Sequence, residues 1–456
     1  MNIVVLNGSP KGKVSVTMQY VAYLQKKFPA HAFEVLDVAW EVHRLERDQG
    51  SWESLEGRLG AAQLVLWAFP VYCLLVASQY KRFIELLVER RSERVLAGKP
   101  TAALSTSVHY YDHTAHEYVH AVSEDLGLTY LGFHSAGMMD LTRPEERLRL
   151  ERFAEHLFAA VERPTPVPRT HPSLRWPAVR YSPGAQRPGI DQGDRKVVIV
   201  TDADGSSPNL EAMTERLRRS FAGPVEVVNL HEVDTRGGCL GCLKCGYDNR
   251  CAYTDGFVEF FKTKLVPADV IVVAGAVRDR YLSSKWKQFF DRSFFNGHVP
   301  SLAGKQLGFL VAGPLAQLPH LRQALTAWSD IGECHAHFLT DEVDDSVALD
   351  ALLEALARRL VECSLAAYMP PRTFLAVGGH KVLRDNIYGL LRLPFQADCR
   401  YYEAHGRFDF PQKDYPTRLR NAYLVPLTWI PALRRRLFAD VKQKMVEPFE
   451  TVLRDA

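Results

Sequence analysis

Four of the eight cysteines are crowded into one short segment of the chain. Cys239, Cys242, Cys245 and Cys251 form the pattern C-x2-C-x2-C-x5-C. Three thiolates at this spacing let a short loop wrap one side of an iron–sulfur cube, and a fourth closes the site. Structural zinc usually has two Cys-x2-Cys knuckles separated by a longer span. The spacing predicts a [4Fe–4S] cluster, with zinc or ligand-free thiols as the alternatives.

A second polar segment, residues 7–17 with the sequence NGSPKGKVSVT, follows an apolar run and opens an amphipathic stretch. Such a turn offers hydroxyls and unpaired N–H groups at the positive end of a helix, which suits a dianionic phosphate. Two other predicted strands end in the segments 69–72 (FPVY) and 105–111 (STSVHYY). Because ligands of open α/β sheets sit beyond the carboxyl ends of strands, these loops predict one shared crevice.

These motifs resemble those of the flavodoxin-like NAD(P)H-dependent FMN reductases, and the cysteine run looks like that of the iron–sulfur flavoproteins in the same superfamily. The resemblance covers about residues 1–160 and 196–340. It implies an FMN phosphate held by Ser9, Lys11, Ser15 and Thr17, with Val16 standing where the family usually has Asn. It also implies an isoalloxazine bordered by Pro70, Val71, Tyr72 and the loop Ser105, Thr106, Ser107, Val108 and His109. The plainer interpretation is a strand–helix turn and a packing corner.

The elements that must position these residues alternate along the first 162 residues, which we interpret as a flavodoxin-like FMN-binding domain. Strands alternating with helices of ten to fifteen residues are typical of a doubly wound parallel sheet. The strands are predicted at 2–6, 32–38, 64–68, 101–105 and 128–133, and the helices at 15–27, 78–89, 114–126 and 144–161.

The pattern restarts after a linker, residues 163–195, whose first part is rich in proline and has no acidic residue. Residues 3–6 match residues 198–201 at an offset of 195, and residues 96–99 (LAGK) match residues 302–305 at an offset of 206. Lys81 pairs with Lys287 at the second offset. We therefore predict a second flavodoxin-like domain at 196–365, with the cysteine loop inserted between its first and third strands.

The second copy is a poorer flavin site. Ala203 and Asp204 stand where the first copy has Gly8 and Ser9. A carboxylate that faces a phosphate repels it. A helix cap or a phosphate site stays open at Ser206, Ser207 and Asn209. We favour a degenerate copy that carries the cluster and packs on the first domain.

Residues 366–456 are predicted to form a basic, mostly helical extension with fifteen Lys and Arg against nine Asp and Glu. Residues 378–381 (GGHK) predict a loop, and Pro426 and Pro431 predict breaks in a later helix. An aromatic stretch precedes Arg434, Arg435 and Arg436. Three alternatives stay open for this segment: peripheral contact with an anionic membrane, contact with a partner, and simple packing on the rest of the chain.

The overall composition fits a folded protein of several domains. The 456 residues carry a net charge of only +3, which argues against nucleic acid as a partner. No segment is apolar enough for a membrane span, no leader is recognisable, and a cytoplasmic location is expected.

The sequence thus predicts an oxidoreductase that passes electrons between NAD(P)H or ferredoxin, FMN and a [4Fe–4S] cluster to a small-molecule or protein acceptor. His109 is the predicted proton donor, with an aromatic and imidazole wall as the plainer alternative. Flavodoxin-like reductases commonly dimerise near the flavin, so the resemblance implies a pseudo-dimer within the chain and leaves a homo-oligomer open. The other functional classes are an electron carrier without its own small substrate and a zinc-bearing interaction module.

Overall fold

The structure is a computed structural model, and it describes residues 1–185, 187–439, 447, 449, 453 and 454. The chain divides into two compact units, Met1–Tyr401 and Tyr402–Ala456. The first unit contains two parallel sheets, so the predicted class of two tandem flavodoxin-like domains with a mostly helical extension is confirmed. The boundaries predicted for the domains at 162, 195 and 365 stay predictions.

The first sheet has the order β2-β1-β3-β5-β6, with a short antiparallel strand β4 paired to the end of β3. Residues Ile3 to Leu6 are wholly buried because helices cover both faces of a parallel sheet. The strands are β1 Asn2–Asn7, β2 Ala32–Leu36, β3 Leu64–Tyr72, β4 Leu75–Val76, β5 Pro100–Ser107 and β6 Thr129–Gly137. The helices are α1 Val16–Lys27, α2 Val42–Arg47, α3 Gln49–Ala61, α4 Ser78–Glu89, α5 Glu93–Leu96, α6 Asp112–Asp125 and α7 Pro144–Glu162.

The second sheet repeats this topology in the order β8-β7-β9-β11-β12, and β10 pairs with the end of β9. Its strands are β7 Val197–Thr201, β8 Val225–Asn229, β9 Val270–Arg278, β10 Tyr281–Leu282, β11 Gln306–Ala312 and β12 His335–Thr340. Its helices are α8 Pro208–Arg219, α9 Phe257–Phe260, α10 Ser284–Ser293, α11 Pro319–Ile331 and α12 Ser346–Leu365. The cysteine run lies between β8 and β9, in the interval that the two offsets predict.

The two copies pack through equivalent helices, α4 and α10. The backbone N–H of Ser78 at the start of α4 donates to Asp291 Oδ2 on α10 over 2.8 Å. The equivalent N–H of Ser284 donates to Glu85 Oε1 on α4 over 2.6 Å. Each helix N-terminus is therefore met by a carboxylate of the other copy, which favours that geometry through the helix dipole. The contacts are reciprocal, as in a two-fold dimer interface.

After α12, the helix α13 spans Phe374–Tyr388 and α14 spans Gln396–Ala404. The loop predicted at residues 378–381 is wrong, since these residues lie inside α13. A side chain at Gly379 would place its Cβ 2.6 Å from the ring of Tyr110, so this glycine lets the helix pack closely against the first domain. Close helix packing, rather than a turn, accounts for the glycine here.

The second unit, taken by itself, is helical. Its helices beyond α14 are α15 Tyr415–Leu427 and α16 Pro431–Ala439. Pro426 lies inside the last turn of α15 and Pro431 opens α16, where a proline is tolerated. No helix among the described residues has the length and apolar character that a membrane crossing requires. Residues 440–446, 448, 450–452, 455 and 456 of the predicted extension lie outside the described residues.

Candidate functional site

The turn between β1 and α1 contains Gly8, at a position that has no room for a side chain. A Cβ at Gly8 would lie 2.5 Å from the ring of Tyr80 and 2.8 Å from Cβ of Phe69. The turn is stiffened by its own hydrogen bonds, because Ser9 N donates to Asn7 Oδ1 over 3.0 Å and Lys11 N donates to Ser9 Oγ over 3.2 Å. The geometry therefore fixes the path of the backbone before any ligand binds.

Helix α1 begins directly after this turn. Ser15 is its N-cap and accepts a hydrogen bond from Met18 N, and the first turn has no acidic residue. The remaining N–H groups at this end carry the positive end of the helix dipole. Ser9, Lys11, Ser15 and Val16 line a cavity next to the turn. Hydroxyls, an ammonium group and a helix N-terminus together form a suitable anion site.

The end of β3 supplies a second wall of the same cavity through Pro70, Val71 and Tyr72. Cys73 and Leu74 follow in left-handed conformations, with φ of 40° and 71°, and form the tight turn to β4. The third wall comes from Thr106 and Ser107 at the end of β5. The three predicted loops therefore meet at one edge of the sheet.

Three predicted flavin-site residues do not line this cavity. The hydroxyl of Thr17 is buried and hydrogen-bonded to that of Thr106 over 2.7 Å, and Ser105 Oγ lies 2.8 Å from His116 Nε2. His109 is half exposed, and its Nδ1 lies 3.0 Å from Asp112 Oδ2. That hydrogen bond raises the pKa of His109 above its ordinary value. Tyr110, which the sequence placed in the same loop, does line the cavity.

The cysteine loop of the second domain closes the cavity from the other side. All four residues of the run, Cys239, Cys242, Cys245 and Cys251, line it. Gly241 has φ of +60° and its N–H donates to Cys239 Sγ over 3.4 Å. A glycine in the left-handed conformation lets the backbone of this short, cysteine-rich loop bend sharply enough to wrap around a bound group.

Buried polar contacts hold this loop on both domains. Arg292 donates to the carbonyl oxygen of Gly237 over 3.0 Å and forms a buried ion pair with Asp255 at 2.7 Å. From the first domain, Gln79 Nε2 donates to the carbonyl oxygen of Cys239 over 3.2 Å. A Cβ at Gly238 would lie 2.2 Å from Ser78 Oγ, so the loop packs directly on the start of α4. The cysteine loop is thus part of the interface between the copies.

Two of the thiols, Cys239 and Cys245, are in an environment that favours their protonated form. Burial, together with the charges of Asp291 and the neighbouring thiols, raises the pKa of Cys239 to about 12. Burial and the neighbouring thiols likewise raise the pKa of Cys245 to about 11. Reactive redox cysteines instead have a lowered pKa. The loop therefore fits thiols that lose their protons when a metal centre binds.

The spacing of the thiols distinguishes between metal centres. Sulfur ligands about 2.3 Å from a tetrahedral zinc ion lie about 3.8 Å from one another. The described groups of three or more His, Cys, Asp or Glu residues with ligand atoms within 4.8 Å of one another do not include these four cysteines. No three of the four thiols are therefore as close together as the ligands of a tetrahedral zinc ion would be. The guanidinium of Arg292 is ion-paired with Asp255, but its buried Nε–H has no hydrogen-bond partner among the described residues, so one donor is available beside the cavity.

The cavity has a volume of about 310 Å³, and sequence analysis missed much of its wall. The remaining wall is mainly apolar and comes from helices α10, α11 and α13 and the segments beside them. It includes Phe290, Phe294, Phe295, Trp328, Ile331, Leu383, Leu391 and Phe395. The carbonyl oxygen of Pro394 would lie 1.9 Å from a Cβ at Gly246, so the segment before α14 also covers the cysteine loop. Low-dielectric walls strengthen electrostatic interactions inside such a cavity.

The equivalent turn of the second domain is occupied by its own side chains. Arg278, which stands where the first domain has Tyr72, donates to Asp204 Oδ2 and to Ser206 Oγ over 2.6 Å each. Asn209 donates to Asp341 Oδ2 over 2.8 Å and accepts from Tyr181 N over 2.9 Å. Two of the three groups that left a second phosphate site open, Ser206 and Asn209, therefore already have partners, and Ser207 is the N-cap of α8.

The linker covers this second crevice. Arg175 N donates to Gln317 Oε1 over 2.9 Å, and the amide of Gln317 donates back to the carbonyl oxygen of Arg175 over 2.7 Å. Trp176 lies against the end of β11, where a Cβ at Gly313 would be 3.2 Å from its ring. The arrangement agrees with a degenerate copy.

Comparison with known families supports the first domain's class. Residues 1–132 match the model of a family described as NADPH-dependent FMN reductase. The resemblance predicted from the motifs is confirmed for the first domain. A search of curated proteins finds no match to this chain.

Similar solved structures each cover about one domain. One is an FMN-dependent NADH-azoreductase from Bacillus anthracis in complex with FMN, 14% identical, covering 35% of this chain and 98% of its own, with a TM-score of 0.27. Another is FerB, a flavoenzyme NAD(P)H:(acceptor) oxidoreductase from Paracoccus denitrificans, 19% identical, covering 35% and 97%, with a TM-score of 0.30. A third is the NAD(P)H:quinone oxidoreductase from Methanothermobacter marburgensis, 14% identical, covering 35% and 97%, with a TM-score of 0.25.

Proposed function

We propose that this protein is an iron–sulfur flavoprotein oxidoreductase in which FMN in the first domain and a [4Fe–4S] cluster on the second serve one electron-transfer path. NAD(P)H is the proposed donor, with reduced ferredoxin as the alternative, and the acceptor is a small molecule or a redox protein. FMN exchanges a hydride for single electrons, and a [4Fe–4S] cluster carries one electron at a time.

One observation carries the proposal. The phosphate-type turn of the first domain and all four thiols of the second line the same cavity. If the turn and the cysteine loop were only packing features, there would be no reason for them to line the same cavity. Two redox groups that exchange electrons must lie close together, and the shared cavity provides that proximity.

The chain's own residues prepare the first half of the cavity. Ser9, Lys11 and Ser15 would hold the phosphate at the start of α1. Pro70, Val71 and Tyr72 would border the ring system, and burial raises the pKa of Tyr72, so this residue stays a neutral phenol. Thr106 and Ser107 supply hydroxyls on the opposite side. Thr17 supports Thr106 from outside the cavity.

In the second half, the four thiolates would ligate the cluster. The buried Arg292, whose charge is balanced by Asp255, would offer its unpartnered Nε–H beside them as a hydrogen-bond donor, and the apolar residues of α10 and α13 would exclude water. A dry, low-dielectric surround of this kind is one means by which proteins set the potential of such a centre.

Anaerobic purification followed by analysis of iron, sulfide and FMN tests the composition. The wild-type chain should contain about four iron and four sulfide atoms per FMN. Cys245→Ser should lose the iron while the FMN-binding turn of the first domain remains intact. Cys363→Ser removes a thiol outside the loop and should retain the iron, which makes it the matched control.

The competing functional classes give different results in the same experiment. A zinc-bearing interaction module would contain zinc, no iron and no colour. An electron carrier would contain both cofactors but would be reduced by ferredoxin and not by NADH or NADPH. Iron-free, flavin-free protein from an oxygen-free preparation would contradict the proposal.

We extend the proposal to the second unit, whose described surface suits an anionic membrane. Residues 415–439 contain five arginines and no acidic residue. Tyr423, Trp429, Ile430 and Phe438 are all exposed there. Aromatic side chains beside arginines are typical of segments that lie on anionic lipid surfaces.

A further inference from the structure

A second cluster of possible metal ligands lies in the second domain. One nitrogen from each of His335 and His337 and the sulfur of Cys363 lie within 4.8 Å of one another. The two histidines alternate along the edge strand β12, so both side chains are on the same face of the sheet. Cys363 reaches them from α12, the helix that covers this face.

The backbone brings the helix unusually close at this point. Gly308 on β11 lies opposite His337 in the parallel register. A Cβ at Gly308 would lie 3.3 Å from Leu360, which precedes Cys363 by one turn of α12. The absence of a side chain on Gly308 therefore lets α12 place its thiol above the two imidazoles.

Gln306 fixes the state of both imidazoles. Its Nε2 donates to the carbonyl oxygen of Tyr368 over 3.0 Å, which orients its Oε1 toward the histidines. His335 Nδ1 lies 2.9 Å and His337 Nε2 lies 3.0 Å from that oxygen. Because an amide oxygen only accepts, each ring donates one N–H and, when neutral, keeps a lone pair on its other nitrogen. A hydrogen bond from a histidine to a carbonyl is the usual support of a metal-binding histidine.

We propose that His335, His337 and Cys363 form a site for a thiophilic d-block cation such as Zn²⁺, separate from the four-cysteine loop. Two imidazoles and one thiolate are ligands that zinc prefers, and three protein ligands leave a fourth position for water. Binding releases the thiol proton, and no oxidation or reduction takes place. The site would tie the edge strand to its covering helix.

Peptide-resolved alkylation of the full-length protein tests the site with Zn²⁺ as the probe. The rate at which iodoacetamide labels Cys363 should fall when one equivalent of zinc is added to protein whose cysteine loop already carries its iron. His335→Asn and His337→Asn should each abolish this protection while the loop cysteines label as in the wild type. His156→Asn, which removes an exposed imidazole elsewhere, should leave the protection unchanged.

Gln306→Ala provides a variant that keeps all three ligands. Loss of a supporting hydrogen-bond partner should weaken zinc binding about 10- to 100-fold without changing the number of sites. Equal labelling of wild-type Cys363 with and without zinc would overturn the proposal, as would undiminished protection in both histidine variants. If a histidine variant fails to fold, the zinc content of Cys363→Ser decides, and an unchanged content overturns the proposal. Because the iron and flavin contents are measured separately, failure here leaves the electron-transfer proposal standing.

Discussion

The hydroxyl of Tyr72 lies 1.8 Å from the position that a Cβ would take on Gly241. The flavin-side loop of one domain therefore packs on the cysteine loop of the other with no room for a side chain between them. Gly241 also has a left-handed backbone conformation. The contact joins the two halves of the cavity.

Gly241→Ala should consequently disrupt both halves. The methyl group would collide with Tyr72, so we expect lower iron and FMN contents together with lower stability, measured by cofactor analysis and chemical denaturation. Gly304→Ala is the matched control, because Gly304 has φ of +81° but nothing within 4 Å of its Cβ position. Gly304→Ala should lower the free energy of unfolding by only about 1–2 kcal/mol, through backbone strain. Equal effects of the two substitutions would show that the contact with Tyr72 is unimportant.

Glu85, which accepts hydrogen bonds from Ser284 across the interface, is held within α4 by a buried ion pair. Lys81 Nζ lies 2.9 Å from Glu85 Oε1, and both side chains are almost fully buried. Glu85→Gln removes one charge and leaves the buried Lys81 with only the more distant Asp279, 3.7 Å away, so we expect a loss of about 3–5 kcal/mol in the free energy of unfolding. Glu85 does not line the cavity, so the cofactor content of the folded protein should be retained.

Glu41→Gln is the control for that substitution. Glu41 pairs with Arg44 at 2.8 Å on the exposed surface. Its removal should change the free energy of unfolding by at most about 1 kcal/mol. If Glu85→Gln behaves like Glu41→Gln, the buried pair does not stabilise the interface.

The sequence alone predicted that the fold is repeated, but it did not predict which residues form the wall of the cavity. The offset of 206 that pairs Lys81 with Lys287 also relates Ser78 to Ser284, and these residues make the reciprocal contacts of α4 and α10. Apolar runs located central strands such as β1 and β3 because these are buried between helices. The segments α2 and α3, which fall between β2 and β3, were not predicted.

The other features that sequence analysis failed to predict are consequences of tertiary packing. Residues 378–381 look like a turn, yet Gly379 lies in a helix because the helix approaches Tyr110 closely. The contributions of Phe294 and Leu383 to the cavity depend on how distant segments pack, which no local pattern encodes. Arg278 could have been found from its alignment with Tyr72, since an arginine beside Asp204 suggests an internal ion pair.

His116 should make the stability of the first domain depend on pH. Burial lowers the pKa of His116 to about 4, whereas the unfolded chain has a value near 6.5. The unfolded state therefore binds an additional proton between these values, so stability is complete above about pH 6.5 and falls as the pH decreases toward 4. The contribution is about 3 kcal/mol. His116→Gln, which can still hydrogen-bond to Ser105, should reduce the pH slope by about one proton; an unchanged slope would contradict this assignment.

His109 stays the predicted proton donor for the acceptor, and the structure places it outside the residues that line the cavity. Its hydrogen bond with Asp112 raises its pKa, so the protonated form persists to a higher pH than in an isolated histidine. His109→Ala should leave flavin reduction unchanged and slow the turnover of an acceptor dye, measured by stopped-flow and steady-state assays. Loss of FMN instead would support the alternative, in which this residue is part of an aromatic and imidazole wall.

The second unit is proposed to contact anionic lipid. Full-length protein should float with vesicles that contain an anionic lipid and remain unbound with neutral vesicles. A chain that ends before Thr417 should lose this binding and retain its cofactors. Substitution of Arg434, Arg435 and Arg436 by Gln should weaken flotation most at low salt, and the difference from the wild type should shrink as salt rises because salt screens the arginine charges. Equal flotation with neutral vesicles, or after truncation, would contradict the proposal.

Electron transfer within a single chain is the central claim, and anaerobic stopped-flow measurement tests it most directly. On mixing with NADPH or NADH, the flavin absorbance should decrease first and the cluster absorbance should follow at a rate that does not change with protein concentration. A rate that rises with protein concentration would place the two groups on different molecules. A cluster that stays oxidised while the flavin is reduced would contradict the shared cavity as an electron path.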